Sequence, residues 1–220
     1  MRKDLIMKTQ ELKITFTQSE EQWLQARGTR FTASEIHKLM GSSRSGSALS
    51  KTAETFVYEK AAEMLTGQRK ETFGAALDWG KDNEADAFHI FNTTYFNNFT
   101  YYGGESFAFI PYGEASGYSP DGLSEDAIVE IKCPFNSGIH LKNFTIEDAD
   151  SLKQVHPEYY WQMQLGMLAT DLDRGFFVSY DPRMPQDRML HVAEIERHDV
   201  EFEINEKLEI ANELLKNILK

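Results

Sequence analysis

The chain has 220 residues, 41% of them hydrophobic and 12% aromatic, a composition that indicates a globular protein long enough to bury a sizeable core. A single cysteine, Cys133, excludes an internal disulfide, a four-cysteine zinc site and a cysteine-ligated iron–sulfur cluster within one chain. The net charge of −12 argues against a broad basic face for DNA, yet residues 1–70 hold 12 Lys and Arg against 8 Asp and Glu while residues 71–220 hold 11 against 27, which leaves room for a local phosphate-binding region in the first third.

In chain order, residues 1–17 match no pattern and are expected to be an extra strand or a flexible arm on one domain spanning 1–220. Thr32-Ala33-Ser34-Glu35 has the capping-box spacing, which predicts a short helix to about Met40. Arg27, Thr32 and Ser34 precede or open that helix, where unpaired backbone N–H groups and the positive dipole end favour a phosphate. Thr32 serves as a helix cap under either reading. The run Gly41 to Ser47 reads as a flexible loop, and Ser50 caps a helix to about Thr66 before Gly67. A third helix is predicted from about Ala75 to Asn92. Its Leu77, Gly80, Glu84, Phe88 and Phe91 fall at spacings of three, four, four and three, so Glu84 lies on the apolar stripe that faces the core. Taken alone, such a glutamate snorkels or accepts from a buried hydroxyl.

Residues 95–135 read as strands and turns. The β-branched run Ala127 to Cys133 follows the polar turn Ser124-Glu125-Asp126, and a strand there places Ile128, Glu130 and Lys132 on one face and Val129, Ile131 and Cys133 on the other. Both faces are partly apolar, so cover on both is expected, and a shielded Glu130 and Lys132 then need partners. The plain alternative is a Glu–Lys pair on an exposed face. Ser119-Pro120-Asp121-Gly122 has turn chemistry. If Glu105 to Ile110 is also a strand, antiparallel hairpins return Asp121 beside Glu130, and two hard oxygen ligands of the kind that suit Mg²⁺ or Mn²⁺ converge with an ammonium. An unassigned stretch to about Val155 leads to a helix from Pro157 to about Thr170. Two strands, Phe176–Tyr180 and Leu190–Ile195, and an amphipathic helix over 199–218 complete the order. The fold class expected is α/β (α+β), a mixed central β-sheet flanked by helices.

Asp121, eight intervening residues and Glu130-x-Lys132 resemble the Asp…Glu-x-Lys signature of the restriction-endonuclease-like nuclease superfamily. The words "TASEIHKLM", "DWGKDNEADA", "SPDGL", "EIKCPF", "YYWQMQLGM" and "YDPRM" occur in the order found in the phage lambda exonuclease family, also called YqaJ-type viral recombinases. The similarity spans about residues 18–200. It implies a restriction-endonuclease-like core and a Mg²⁺-dependent 5′→3′ exonuclease that digests one strand of linear duplex DNA and leaves a 3′ single strand for recombination by strand annealing. Carried onto matching positions, Asp121 and Glu130 bind metal, two Mg²⁺ ions with Mn²⁺ as a substitute, and the Ile131 carbonyl is a further candidate ligand. Glu84 supports the metal or its waters, and Lys132 orients or activates the attacking water.

The same resemblance puts Arg27 and Ser34, with Ser119, at a pocket for the terminal 5′-phosphate. Of Gln162 and Gln164 in the helix after Pro157, Gln164 is preferred as the one reaching the active site. Arg44 is a candidate for the DNA backbone or minor groove, against a simply solvated loop arginine. Leu77 matches a position that wedges into the terminal base pair, against a plain core leucine. The implied partners are linear duplex ends with a 5′-phosphate, two further copies in a homotrimeric ring, and a phage single-strand annealing protein. With no membrane-spanning run and no signal-peptide pattern, a cytoplasmic location in a bacterial host, with no membrane partner, is expected. The rival readings are a structure-specific endonuclease or resolvase of the same fold and a non-catalytic DNA-end-binding recombination scaffold.

Overall fold

The computed structural model describes residues 15–17, 19–43, 48–68, 74–96, 98–104 and 106–220. The chain starts with β1 (Thr15–Thr17), α1 (Glu20–Gly28), β2 (Phe31–Thr32), a 3₁₀ turn (Ala33–Lys38), α2 (Lys51–Thr66) and α3 (Ala75–Phe91). The strands β3 (Thr100–Tyr101), β4 (Phe107–Tyr112), β5 (Ser116–Tyr118), β6 (Gly122–Leu123) and β7 (Ile128–Lys132) follow. Then come α4 (Ser137–Asn143), α5 (Ala149–Val155), α6 (Pro157–Thr170), β8 (Arg174–Tyr180), β9 (Leu190–Glu196) and α7 (Glu201–Ile218).

The strands form two mixed sheets, ordered β1-β4-β5-β2 and β3-β6-β7-β8-β9. In the larger one β7 and β8 run parallel, and their connection passes through α4, α5 and α6, as a parallel pair requires. Cover on both faces of β7 explains its nearly continuous apolar character. Val129 and Ile131 join Phe88 and Phe91 of α3 in one apolar cluster. Ile128 joins Tyr160 and Met163 of α6 in the other.

Helix α6 is buried along most of its length, from Tyr160 to Met167. Gly166 permits that close approach, because a Cβ there would stand 2.9 Å from the Tyr118 ring and 3.0 Å from Ile128 Cδ1. Pro157 occupies its first turn and Asp171, at φ +54°, ends it.

The short helix expected after Thr32 forms as a 3₁₀ helix, Ala33–Lys38, ending two residues short of Met40 and preceded by β2. Thr32 is the buried end of a strand paired with β5, and its hydroxyl bonds the side chains of Ser34 and Glu35 rather than a backbone N–H. The unassigned stretch before Val155 holds α4 and α5; α5 starts with a reciprocal Asp148–Ser151 capping box. Of the first seventeen residues, Thr15–Thr17 pair with β4 as an extra strand, and 1–14 lie outside the described residues. No helix of the described residues is long and apolar enough to cross a membrane.

Candidate active site

Strand β6 stops at Gly122, which pairs with Val129, so the ladder lacks a β6 partner for the next inward donor of β7. Asp121 takes that place: its Oδ2 accepts from the Ile131 N–H at 2.7 Å. Two residues of strand spacing put Glu130 and Lys132 on one face, joined by a Nζ–Oε1 contact of 2.6 Å. Glu130 is 1% exposed, which makes partners obligatory. Besides Lys132 it accepts from Gln162 Nε2 at Oε1 and from the Tyr118 hydroxyl at Oε2, the latter at 3.4 Å. Lys132 Nζ stands 4.8 Å from the centre of the Tyr159 ring. The alternative of an exposed-face pair is therefore excluded for Glu130.

Glu84 arrives from the opposite side, on α3, and accepts from the Tyr101 hydroxyl at 3.0 Å. Glu84, Ile131 and Lys132 line one cleft of about 540 Å³. Burial, then the charges of Glu130 and Glu84, push the Asp121 carboxyl well above the usual carboxylate range, against Lys132 and the Ile131 N–H. Burial also raises Glu84, with Tyr101 and Lys132 opposing and Glu130 adding. For Lys132 burial alone would lower the pKa, but Glu130 and Asp121 reverse this and keep it an ammonium. Burial lifts the Cys133 thiol to about 12, far from thiolate chemistry.

This donor set fits a hard divalent cation: oxygen ligands only, with carboxylates that raise one another's pKa for want of positive charge. Among the described residues no three His, Cys, Asp or Glu side chains stand ready to hold one ion together. Two carboxylates with a backbone carbonyl are the set to consider.

A second cluster adjoins the first through the Ser119-Pro120-Asp121 link. Arg27 donates to Ser119 Oγ at 2.9 Å and to Ser34 Oγ at 3.4 Å. Ser34 and Thr32 hydroxyls are 3.2 Å apart. Trp23, one turn before Arg27, donates its indole N–H to Ser119 at 3.0 Å and lies beneath the guanidinium at 4.2 Å. Sequence reasoning missed Trp23, although its spacing of four from Arg27 on one helix was a usable signal. Nearby Glu35 is subject to burial that would raise its pKa, yet Lys60 and Lys38 lower it overall. Its charge is thereby offset beside a cluster suited to an anion.

Leu77 leaves the core: it is 40% exposed and lines the cleft with Phe135 and Ile139, while only Phe88 and Phe91 of the predicted stripe are buried. The preference for Gln164 is overturned. Gln164 donates to the Glu196 carbonyl at 3.0 Å and accepts from the His198 N–H at 2.7 Å, tying α6 to the end of β9. Gln162 is the one that meets Glu130, because residues two apart on a helix diverge by about 200°. Arg44 lies outside the described residues. Tyr101, Tyr118 and Tyr159 were not anticipated; each reaches the acids or the lysine from another element.

The chain thus has a mixed-sheet fold in which buried carboxylates and a lysine gather on the central strand β7, where β6 gives way to Asp121. The chain belongs to the YqaJ-like viral recombinase domain family, whose model matches residues 22–173. Among solved structures it is similar to an alkaline exonuclease, LHK-Exo, from Laribacter hongkongensis, at 29% identity over 90% of this chain and 94% of that one, with a TM-score of 0.73. The same enzyme in complex with dAMP gives the same values. A phage-related exonuclease from Haemophilus somnus 129PT, at 18% identity over 86% and 95% of the two chains and a TM-score of 0.71, shares the fold. No curated protein matches. Family and neighbours together support a nuclease of the phage exonuclease kind, acting on DNA.

Proposed function

We propose that this protein is a Mg²⁺-dependent 5′→3′ exonuclease that degrades the 5′-ended strand of linear duplex DNA and leaves 3′ single strands for annealing. The observation that carries this reading is the juxtaposition of two clusters. Lys132 and Glu84 line one cleft, with Glu130 bonded to Lys132 and Asp121 bonded to the Ile131 N–H just behind it, and Ser119, two residues before Asp121, is held by Arg27. A terminal 5′-phosphate on Arg27, Ser34 and Ser119 delivers the first phosphodiester of that strand towards the acids, which gives polarity from a fixed distance between two subsites. The alkaline exonuclease it resembles supports the same chemistry.

Asp121, Glu130 and the Ile131 carbonyl are the groups to hold metal, with Glu84 directly or through water. When bound, Mg²⁺ or Mn²⁺ supplies Lewis-acid charge at the scissile phosphate and the attacking water. Lys132, bonded to Glu130 at the cleft, orients or activates the attacking water and supplies positive charge to the phosphorane-like transition state. Gln162 and Tyr118 hold the Glu130 carboxylate in place. Tyr159 covers the lysine and limits its rotation. Leu77, exposed and lining the cleft, is the residue assigned to separate the terminal base pair, a role its exposure is compatible with.

The decisive assay digests 5′-phosphorylated linear duplex with Mg²⁺ against 5′-hydroxyl and covalently closed circular controls. Release of nucleotides from the phosphorylated ends is expected, abolished by chelation. Cutting of the circle with no preference for ends would establish an endonuclease instead. Lys132→Ala should fold and bind ends yet lose about a hundredfold or more in cleavage; undiminished cleavage would reject the site.

A further inference from the structure

The acid cluster has a neighbour on β3. Tyr101 pairs with Gly122 in the β3–β6 register, and the next backbone N–H, of Tyr102, donates to the Asp121 carbonyl at 2.9 Å. Its side chain is thus fixed by the same short ladder that places Asp121. The ring packs on Phe88 of α3 at 4.9 Å between centroids, and the hydroxyl donates to Glu84 Oε1, one turn earlier on that helix. A phenol is ordinarily protonated at neutral pH and a carboxylate only accepts, so the hydroxyl is the donor. Gly103 completes the arrangement. A Cβ built there would overlap the Tyr101 hydroxyl and stand 2.5 Å from Glu84 Oε1, so any larger residue would push the pair apart from its present arrangement.

We propose that Tyr101 is a positioning residue of the active site: seated in the space left by Gly103, it holds one oxygen of Glu84 and fixes that carboxylate at the cleft shared with Ile131 and Lys132. This rests on the reading of Glu84 as a support of the metal or its waters. A carboxylate on a helix side chain has two oxygens and three torsions; anchoring one oxygen commits the other to a single direction. Tyr101 itself touches neither substrate nor ion.

The test is a double-mutant cycle of Tyr101→Phe and Glu84→Gln, with Gly103→Ala alongside. Melting temperature, Mg²⁺ binding by calorimetry without DNA, the Mg²⁺ concentration for half-maximal rate, and KM for duplex ends are read for each. Tyr101→Phe keeps the ring on Phe88, so melting temperature and KM should hold. The Mg²⁺ requirement should rise by about tenfold, the size of one hydrogen bond to a charged group, with kcat reduced. In the Glu84→Gln background the same change should do nothing further. Gly103→Ala, which keeps both side chains but takes their space, should reproduce the Mg²⁺ shift. If Glu84→Gln weakens Mg²⁺ binding while Tyr101→Phe does not, or if the two losses simply add, the role of Tyr101 is overturned and that of Glu84 stands. If Glu84→Gln leaves Mg²⁺ binding and rate intact, the reading of Glu84 fails and the inference falls with it.

Discussion

At the scale of single residues, the centre is a buried carboxylate with too many neighbours to be incidental. Glu130 receives Lys132, Gln162 and Tyr118 from three elements. Removing one partner of a buried charge leaves the remainder under-satisfied, which costs more than the lost bond alone. The two glutamines of α6 separate this effect from plain structure. Gln162→Ala should lower kcat and disturb metal dependence with little change in duplex KM, because it frees the Glu130 carboxylate. Gln164→Ala should leave kcat near wild type but destabilise the fold by about 1 kcal/mol, since two part-buried backbone groups lose their side-chain partner. Denaturant unfolding beside steady-state kinetics reads both; the opposite pattern would restore Gln164 to the active site.

At the scale of elements, three segments meet at the mouth of the cleft through one charged pair. Asp181, at the end of β8, is bonded by Arg183 at 2.7 and 2.8 Å. Arg183 also donates to the Phe135 carbonyl at 2.9 Å and lies 4.1 Å over the Trp79 ring of α3. Burial would raise the Asp181 pKa, but hydrogen bonds from Arg183 and Ser137 overcome it and hold the carboxyl at about 2. An unfolded aspartate titrates near 3.9, so the folded state binds the proton less well. The stabilisation is therefore complete above about pH 4 and is lost as pH falls towards 2. Thermal melts between pH 5 and pH 2 should show wild type falling more steeply than Asp181→Asn. Parallel curves would mean that the pair does not brace the cleft wall.

At the scale of the whole molecule, the net charge of −12 is reconciled with a DNA substrate by local placement. Arg27 stands at the Ser34–Ser119 cluster in the basic first third, and Lys38 and Lys60 offset the charge of Glu35 beside it, while the acidic excess lies further along the chain. A closed ring of three copies around the duplex would keep an acidic protein on its substrate without a broad basic face. Sedimentation velocity should then give three times the 25.3 kDa chain mass, and end binding should weaken only gently with salt because few phosphates are neutralised. A monomer mass would remove the ring.

The ordered words and the period of two determined the family resemblance, the strand at β7 and the shared face of Glu130 and Lys132, because those properties are local in the chain. Pro157 and Gly67 marked helix ends for the same reason. The convergence of Arg27, Ser34 and Ser119 was legible only through the family, since residues ninety apart meet by way of the β2–β5 pairing. The capping-box spacing at Thr32 located the 3₁₀ helix but not the partner of its hydroxyl, because spacing takes no account of a sheet that buries the residue. Which glutamine faces Glu130 depended on the rotation of α6, set by its close approach at Gly166. Tyr101 left no trace in local pattern at all. A side chain whose partner lies on another element is placed by register and packing, and those are decided only when the elements come together in three dimensions.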